Sequence, residues 1–283
     1  LVADTLTCSL ALARPLGDLV WQKTQGNPFF ATQFLQSLYQ DDVIRFDALQ
    51  GCWQCDIVQV REAALTEDVV DFMAKQLQKL EPPTQDMLKL AACIGNQFDL
   101  ATLALVAQQP QARVAMALWR ALETGLVLPQ SEIYAFFLGQ EDSPDSALPP
   151  LDTPDLTYRF LHDRIQQAAY SLIPADQKQH THLTMGQLLL HKSSAAERQE
   201  RLFAIAHQLN MGQSLLTSPS EREQLAILNL QAGRKAKAAT AYRAAVDYLH
   251  QGIQLLAAEP WQHQYELTLA LHQEITEAAY LST

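Results

Sequence analysis

"LTYRFLHDRIQQAAYSLIP", residues 156 to 174, decides how the chain is read, because it changes period in the middle. "LTYRFL" carries the aromatic and β-branched residues of a strand, whereas "HDRIQQAAYSLI" spaces its apolar residues three and four apart, as a helix does. His162 therefore stands at a strand-to-helix junction.

Working upstream, "IYAFFL" and "LVLP" read as two further short strands, and "GQEDSPDSALPPLDTPD" as an exposed loop before the return strand. Ahead of them, "LTEDVVDFMAKQLQKL", "PPTQDMLKLAACIG", "FDLATLALVAQ" and "QARVAMALWRALETG" give four helices. Thr66 is expected to cap the first and Asp99 the third, and Gly125 to end the fourth. Helices followed by a strand pair with a long tip are the order of a winged-helix domain, which we place at residues 66 to 174.

Residues 1 to 13, 15 to 25 and 28 to 40 read as three short helices. Pro15 is expected to open the second, Gly26 to close it, and Pro28 to fill the first turn of the third. "VIRFD", "ALQG" and "CWQCDIVQV" look like a hairpin, completing a first region at residues 1 to 65. Beyond Pro174 the pattern is helical throughout, with Ala at regular intervals beside Tyr242, Tyr248, Leu249 and Leu255. That suggests paired helices packed through small residues, a tetratricopeptide-like array at residues 175 to 283. The expected fold class is mainly α.

The chain has 283 residues, 48% of them hydrophobic, enough for a sizeable core and two or three units. A net charge of -11 argues against general affinity for nucleic acid or an anionic membrane. The presumed recognition helix offers only Arg113 and Arg120, and the presumed wing carries Glu141, Asp142, Asp145, Asp152 and Asp155 without a Lys or Arg. Such a surface repels phosphates. Four cysteines do not make a disulfide framework in a chain of this length, which fits a reducing, cytoplasmic setting. No run of about 18 apolar residues occurs, so no membrane partner is expected. Starting at Leu1 and stopping inside a helical pattern, the sequence reads as a piece of something longer.

Motifs for catalysis are missing: there is no G-x-x-x-x-G-K-[ST], no G-x-S-x-G and no H-E-x-x-H. "CWQC" has metal-ligand spacing, yet a second ligand pair is lacking, and strand residues three apart point to opposite faces. His180 and His182 diverge by about 200° on a helix, which is wrong for joint ligation. The His162-Asp163 pair would suit a metal-dependent phosphohydrolase only with further His and Asp ligands, which do not follow at matching spacing. Alternatively His162 is a half-buried junction residue over a core of Phe160, Leu161, Ile165 and Ala169, or presents an imidazole donor to a phosphate at a helix N-terminus. The run "GRKAKAATAYR" (Arg234, Lys235, Lys237, Arg243) reads as a solvated helix face.

Two stretches together carry a resemblance. "LVWQKTQGNPFFATQFLQSL" resembles the lid that follows the nucleotide-binding core in signal-transduction ATPases with numerous domains, the STAND branch of the AAA+ ATPases. "FLHDRIQQAAY" resembles their Met-His-Asp element, borne on a winged helix. In that family the G-x-P turn approaches the adenine and the histidine contacts the terminal phosphate of ADP. The resemblance implies that Gly26, Asn27 and Pro28 form the G-x-P turn, that His162 senses phosphate, and that Asp163 orients the local turn; Leu161 replaces the methionine. Nearly the whole chain is similar to the central ATPase region of large cyanobacterial-type proteins that join a serine/threonine kinase to GAF and histidine-kinase domains.

What this implies is a regulatory piece rather than a catalytic one, since the P-loop, the Walker B acid and the first sensor are absent. ATP or ADP would bind only with an upstream nucleotide-binding core, and no metal would be held by these residues. Partners would be that core, the kinase and sensor domains of the same chain, and a protein on the helical array. The residues suit the role: glycine permits close backbone approach, and a proline ring is a rigid apolar plate. Two alternatives remain, a protein-interaction scaffold without nucleotide and a DNA-binding regulator.

Overall fold

The computed structural model describes residues 2–6, 9–47, 52–65, 68–130 and 156–282. Over these the protein is mainly α and divides into two compact units, Leu1–Leu80 and Glu81–Thr283. The expected strand "IYAFFL", the loop that follows it with its five acids, the "ALQG" turn and the Thr66 cap lie outside the described residues.

In the first unit, helices α1 (Val2–Thr5), α2 (Leu10–Thr24) and α3 (Pro28–Gln40) precede the antiparallel hairpin β1 (Ile44–Asp47) and β2 (Cys52–Cys55). Pro15 lies inside α2 instead of opening it. A proline there forfeits one backbone hydrogen bond, but Ala13, Leu16 and Val20 are all buried on one stripe, and keeping that stripe continuous favours a single helix.

The second strand is also shorter than the sequence suggests. "DIVQV" turns into helix α4 (Ile57–Leu65), because the Asp56 carboxylate accepts from the backbone N–H groups of Val58 (3.0 Å) and Gln59 (3.2 Å). A local cap outcompetes the β propensity of Ile57, Val58 and Val60. Helix α5 (Val69–Gln78) is capped by Asp68 and packs in this unit. Its Phe72 meets Phe34 edge-on at 5.6 Å, and Gln76 donates to Ser37 Oγ at 3.1 Å.

The second unit begins with α6 (Pro82–Ile94), β3 (Gln97–Asp99), α7 (Leu100–Ala107), α8 (Gln111–Glu123), β4 (Val127–Pro129), β5 (Thr157–Phe160) and α9 (Asp163–Ser171). Asp99 caps α7 through Thr102 N at 2.6 Å, and Gly125, at φ +69°, ends the turn after α8, both as the sequence indicates. The three strands form one antiparallel sheet in the order β3-β5-β4, with Tyr158 and Phe160 buried and Phe98 stacked on Tyr158. Strand β3 is not evident in the sequence, being three residues between two helices.

Helices α10 (Ala175–Lys192), α11 (Ala195–Glu200), α12 (Leu202–Met211), α13 (Pro219–Ala238), α14 (Tyr242–Gln254), α15 (Pro260–His263) and α16 (Tyr265–Leu281) complete the unit. Successive long helices pack on one another: α10 on α12, α12 on α13, α13 on α14, and α14 on α16. Glycines set the closeness of two of these contacts. A Cβ at Gly233 would sit 2.5 Å from Leu249 Cγ, and one at Gly252 would sit 2.7 Å from Leu271 Cδ2. Both leucines are fully buried, so they cannot swing aside.

Gly233→Ala is therefore expected to destabilise the protein by about 1–3 kcal/mol through overpacking, even though alanine is the better helix former by about 1 kcal/mol. A lower urea midpoint would show it, and an unchanged or higher midpoint would contradict the close-packing account.

Candidate functional site

The G-N-P turn of the first unit is built by local chemistry. Gln25 and Gly26 take φ of +52° and +78°, which ends α2. The Asn27 side chain then accepts from Phe29 N (3.0 Å) and Phe30 N (3.3 Å), and Pro28 fills the first position of α3, where its lack of an N–H costs nothing. Phe30 is buried and Phe29 half-buried, so the pair anchors the turn from beneath. Gly26 and Pro28 stay exposed.

One neighbour of this turn was not anticipated. A Cβ at Gly26 would lie 3.5 Å from Nε1 and 3.6 Å from Cδ1 of Trp21, whose side chain is 62% exposed. The indole edge thus lies against the bare glycine. Trp21 sits five residues before Gly26 in the quoted stretch, and an aromatic on the last turn of a helix that folds back at a left-handed residue was the available signal.

In the second unit His162 is the N-cap of α9, at φ -149° and ψ 145°, directly after the central strand β5. Its Nδ1 accepts from Arg164 N at 3.1 Å. That bond fixes the tautomer: the neutral ring carries its proton on Nε2, which is then a donor beside a helix N-terminus. Asp163 follows, exposed in the first turn, where its charge suits the helix dipole. Phe160, Ile165 and Ala169 beneath it are fully buried. Gly26, Asn27 and Pro28 belong to one compact unit, and His162 and Asp163 to the other.

A buried polar chain, unseen in the sequence reading, runs from the far end of α9. Tyr170 Oη is 3.0 Å from His182 Nε2, His182 Nδ1 is 2.6 Å from Gln208 Oε1, and Gln208 Nε2 donates to the Cys93 carbonyl at 2.7 Å. The direction is determined by its last link. Gln208 must present Oε1 to His182, so His182 Nδ1–H donates and Nε2 accepts from the Tyr170 hydroxyl. His182 and Gln208 are 3% and 2% exposed, while His180, two residues away, points to solvent. Burial raises the Tyr170 hydroxyl pKa and pushes the Cys93 thiol up to about 12, leaving both protonated. The sequence signal was a histidine in the apolar stripe that continues through Met185 and Leu189.

The remaining candidates are structural. In "CWQC" the register pairs Cys55 with Ile44 and Cys52 with Asp47. Burial and the neighbouring Asp56 raise the Cys55 thiol, which disfavours the thiolate a metal needs. Among the described residues no group of three metal-ligating side chains comes together.

The basic run on α13 is more than a solvated face. Arg234 pairs with Glu274 at 2.8 Å, and Lys237 pairs with both Glu274 and Glu277, tying α13 to α16. Lys235 donates to the Gln199 carbonyl and lies 5.4 Å from the centre of the Phe203 ring. Burial alone would raise the Glu274 carboxyl, but the bonds from Lys237 and Arg234 outweigh it and hold its pKa below the usual range.

Two tests follow from these contacts. His162→Ala is expected to lower stability by about 1 kcal/mol through loss of the cap, while His162→Asn, which can cap equally well, stays near the parent value in urea unfolding. For Glu274 the folded pKa lies below the unfolded one, so its contribution is present above about 4.5 and fades as pH falls through the folded value. Glu274→Gln should lower the urea midpoint at pH 7, and the gap to the parent protein should close as the pH is taken below that range. A gap that persists in acid would show that the carboxylate charge is not what binds α13 to α16.

No family model matches the chain, and no solved structure matches it. The chain is similar to hybrid signal transduction histidine kinase G of Dictyostelium discoideum, with 27% identity across 99% of this chain. It spans only 9% of that protein's length. No helix among the described residues is long and apolar enough to cross a membrane.

Proposed function

We propose that the chain is the regulatory region of a STAND-type signalling ATPase within a multidomain signal-transduction kinase. In this reading residues 1–65 are the lid, residues 66–174 the winged helix, although its first helix α5 packs within the first unit, and residues 175–283 a tetratricopeptide-like array that meets a protein partner. The observation that supports it is the His162 cap of α9, whose Nδ1 accepts from Arg164 N and so leaves Nε2 as the protonated ring nitrogen, on a helix whose N-terminus favours an anionic phosphate. The exposed Trp21 beside Gly26 supports the adenine side, since an indole is a ring on which a purine can stack.

Further support comes from the arrangement of elements. Helices α6 to α8 with a β3-β5-β4 sheet suit a winged helix, and the stepwise packing from α10 to α16 suits a repeat array. The name of the Dictyostelium protein supports a signalling role. ATP or ADP would be held mainly by an upstream core, and the residues here that would contact it are Gly26, Asn27, Pro28, His162 and Asp163, with no metal ligands among them. Such a region works in the cytoplasm, beside kinase and sensor domains of its own chain.

Duplex DNA is not among the proposed partners. Of the two arginines on α8, Arg120 is already paired with Glu123 at 2.8 Å. The same helix exposes Met116 and Trp119, which suits a protein partner. That pair favours the interaction scaffold as the second reading.

The test uses the chain extended upstream through a G-x-x-x-x-G-K-[ST] motif. ADP affinity should fall about tenfold, or about 1.4 kcal/mol, in His162→Asn, which keeps the helix cap, and should also fall in Pro28→Ala. Unchanged affinity in both would reject the nucleotide reading and leave the scaffold.

A further inference from the structure

We propose that Gln208 is a positioning residue through which the helical array controls the turn that carries His162. The inference rests on the reading of His162 as a phosphate contact for its functional meaning, but the coupling itself is a property of the fold.

Two hydrogen-bonded routes lead from the Gln208 amide to that turn. Through Oε1 it accepts from His182, which accepts from Tyr170 near the end of α9. Helix α9 is nine residues long, a rod of about 13 Å, with Tyr170 near one end and His162 capping the other. Through Nε2, Gln208 donates to the carbonyl of Cys93 in the last turn of α6. Three residues on, the Asn96 carbonyl accepts from Phe160 N at 2.9 Å, and Phe160 is two residues before His162. The turn is thus bracketed from both sides by a ring of bonds that closes on one side chain of α12.

A cross-brace reinforces the ring. Gln166, in the middle of α9, donates to the Ala92 carbonyl at 3.1 Å, beside the carbonyl that Gln208 takes. Consecutive carbonyls at the end of α6 are therefore claimed by α9 and by α12. If α12 shifts, Gln208 loses both partners together, and His182, the Cys93 carbonyl and Gln208 are left buried without them. Partial release has no stable form, so the joint is either closed or open. His182 and Tyr170 act as positioning residues in the same sense, and neither touches a ligand. A partner that moves α10 or α12 would change how firmly the His162 turn is held.

Amide hydrogen exchange on the 283-residue chain, without nucleotide, tests this. Gln208→Leu should speed exchange of the Arg164 and Phe160 amides at least tenfold more than that of the Leu249 amide, which lies in α14 outside the ring. Tyr170→Phe opens only one route, so it should speed Arg164 with less effect on Phe160. If Gln208→Leu does not fold, the Tyr170→Phe pattern decides the matter. Equal acceleration at all three amides, or none, would overturn the proposal by showing either a general loss of stability or no coupling. Failure of the ADP test with a positive exchange result would discard the nucleotide reading and retain the joint.

Discussion

The C-terminal turn of α6 is the constraint on which the second unit is arranged. A helix end leaves carbonyls without intrahelical partners, and this end is enclosed by the sheet, α9 and the array, so they must be satisfied from within the protein. Gly95 N takes the Ala91 carbonyl, Gln166 the Ala92 carbonyl, and Gln208 the Cys93 carbonyl. The first is the cap of α6 itself, and the other two donors come from α9 and α12. Because an unmet carbonyl in that setting costs about 1–3 kcal/mol, the three elements are held in one arrangement by the needs of a single turn.

The array extends from this point by a different principle. Its helices approach through small residues, Gly233 facing Leu249 and Gly252 facing Leu271, so that each leucine seats where a side chain is missing. Such contacts are local to neighbouring helices, which makes the array divisible into steps. Polar contacts fix the register of those steps. Asn210 and Asn229 exchange a reciprocal pair of amide bonds at 2.8 Å between α12 and α13, and the Arg234, Lys237, Glu274 group does the same between α13 and α16.

What could be read from the sequence was what is decided within a few residues. Gly26, Asp99 and Gly125 act where their spacing says they should, because capping and left-handed turns depend on atoms two to four residues away. The same locality governs Ile57, where the Asp56 cap two and three residues from Val58 N and Gln59 N overrides the β propensity of the stretch. Pro15 misled for the opposite reason, since its tolerance inside α2 depends on Leu16 and Val20 finding a core. His162 was legible as a junction residue, while its tautomer was not, because that needs the position of Arg164 N. Gln208 could not be found at all. Nothing near it in the chain marks it, and its partners lie 26 and 115 residues away.

The distribution of charge decides where a partner can act. Arg234 and Lys237, within the most concentrated positive charge in the sequence, are paired with the acids of α16. Exposed apolar side chains of the second unit include Met116 and Trp119 on α8, Met211 at the end of α12 and Leu215 just beyond it, Ile227 on α13, Trp261 on α15, and Tyr265, Tyr280 and Leu281 on α16. Met211 ends the helix that bears Gln208, three residues after it, and Leu215 follows in the next turn. A partner that covers those two side chains therefore presses on the one helix whose displacement would release α6 and α9 together. Burial of two exposed apolar residues is worth a few kcal/mol at most, about the cost of leaving one or two buried polar groups unmet. The two quantities are of similar size, which is the condition under which binding on the array can tip the joint and not merely decorate it.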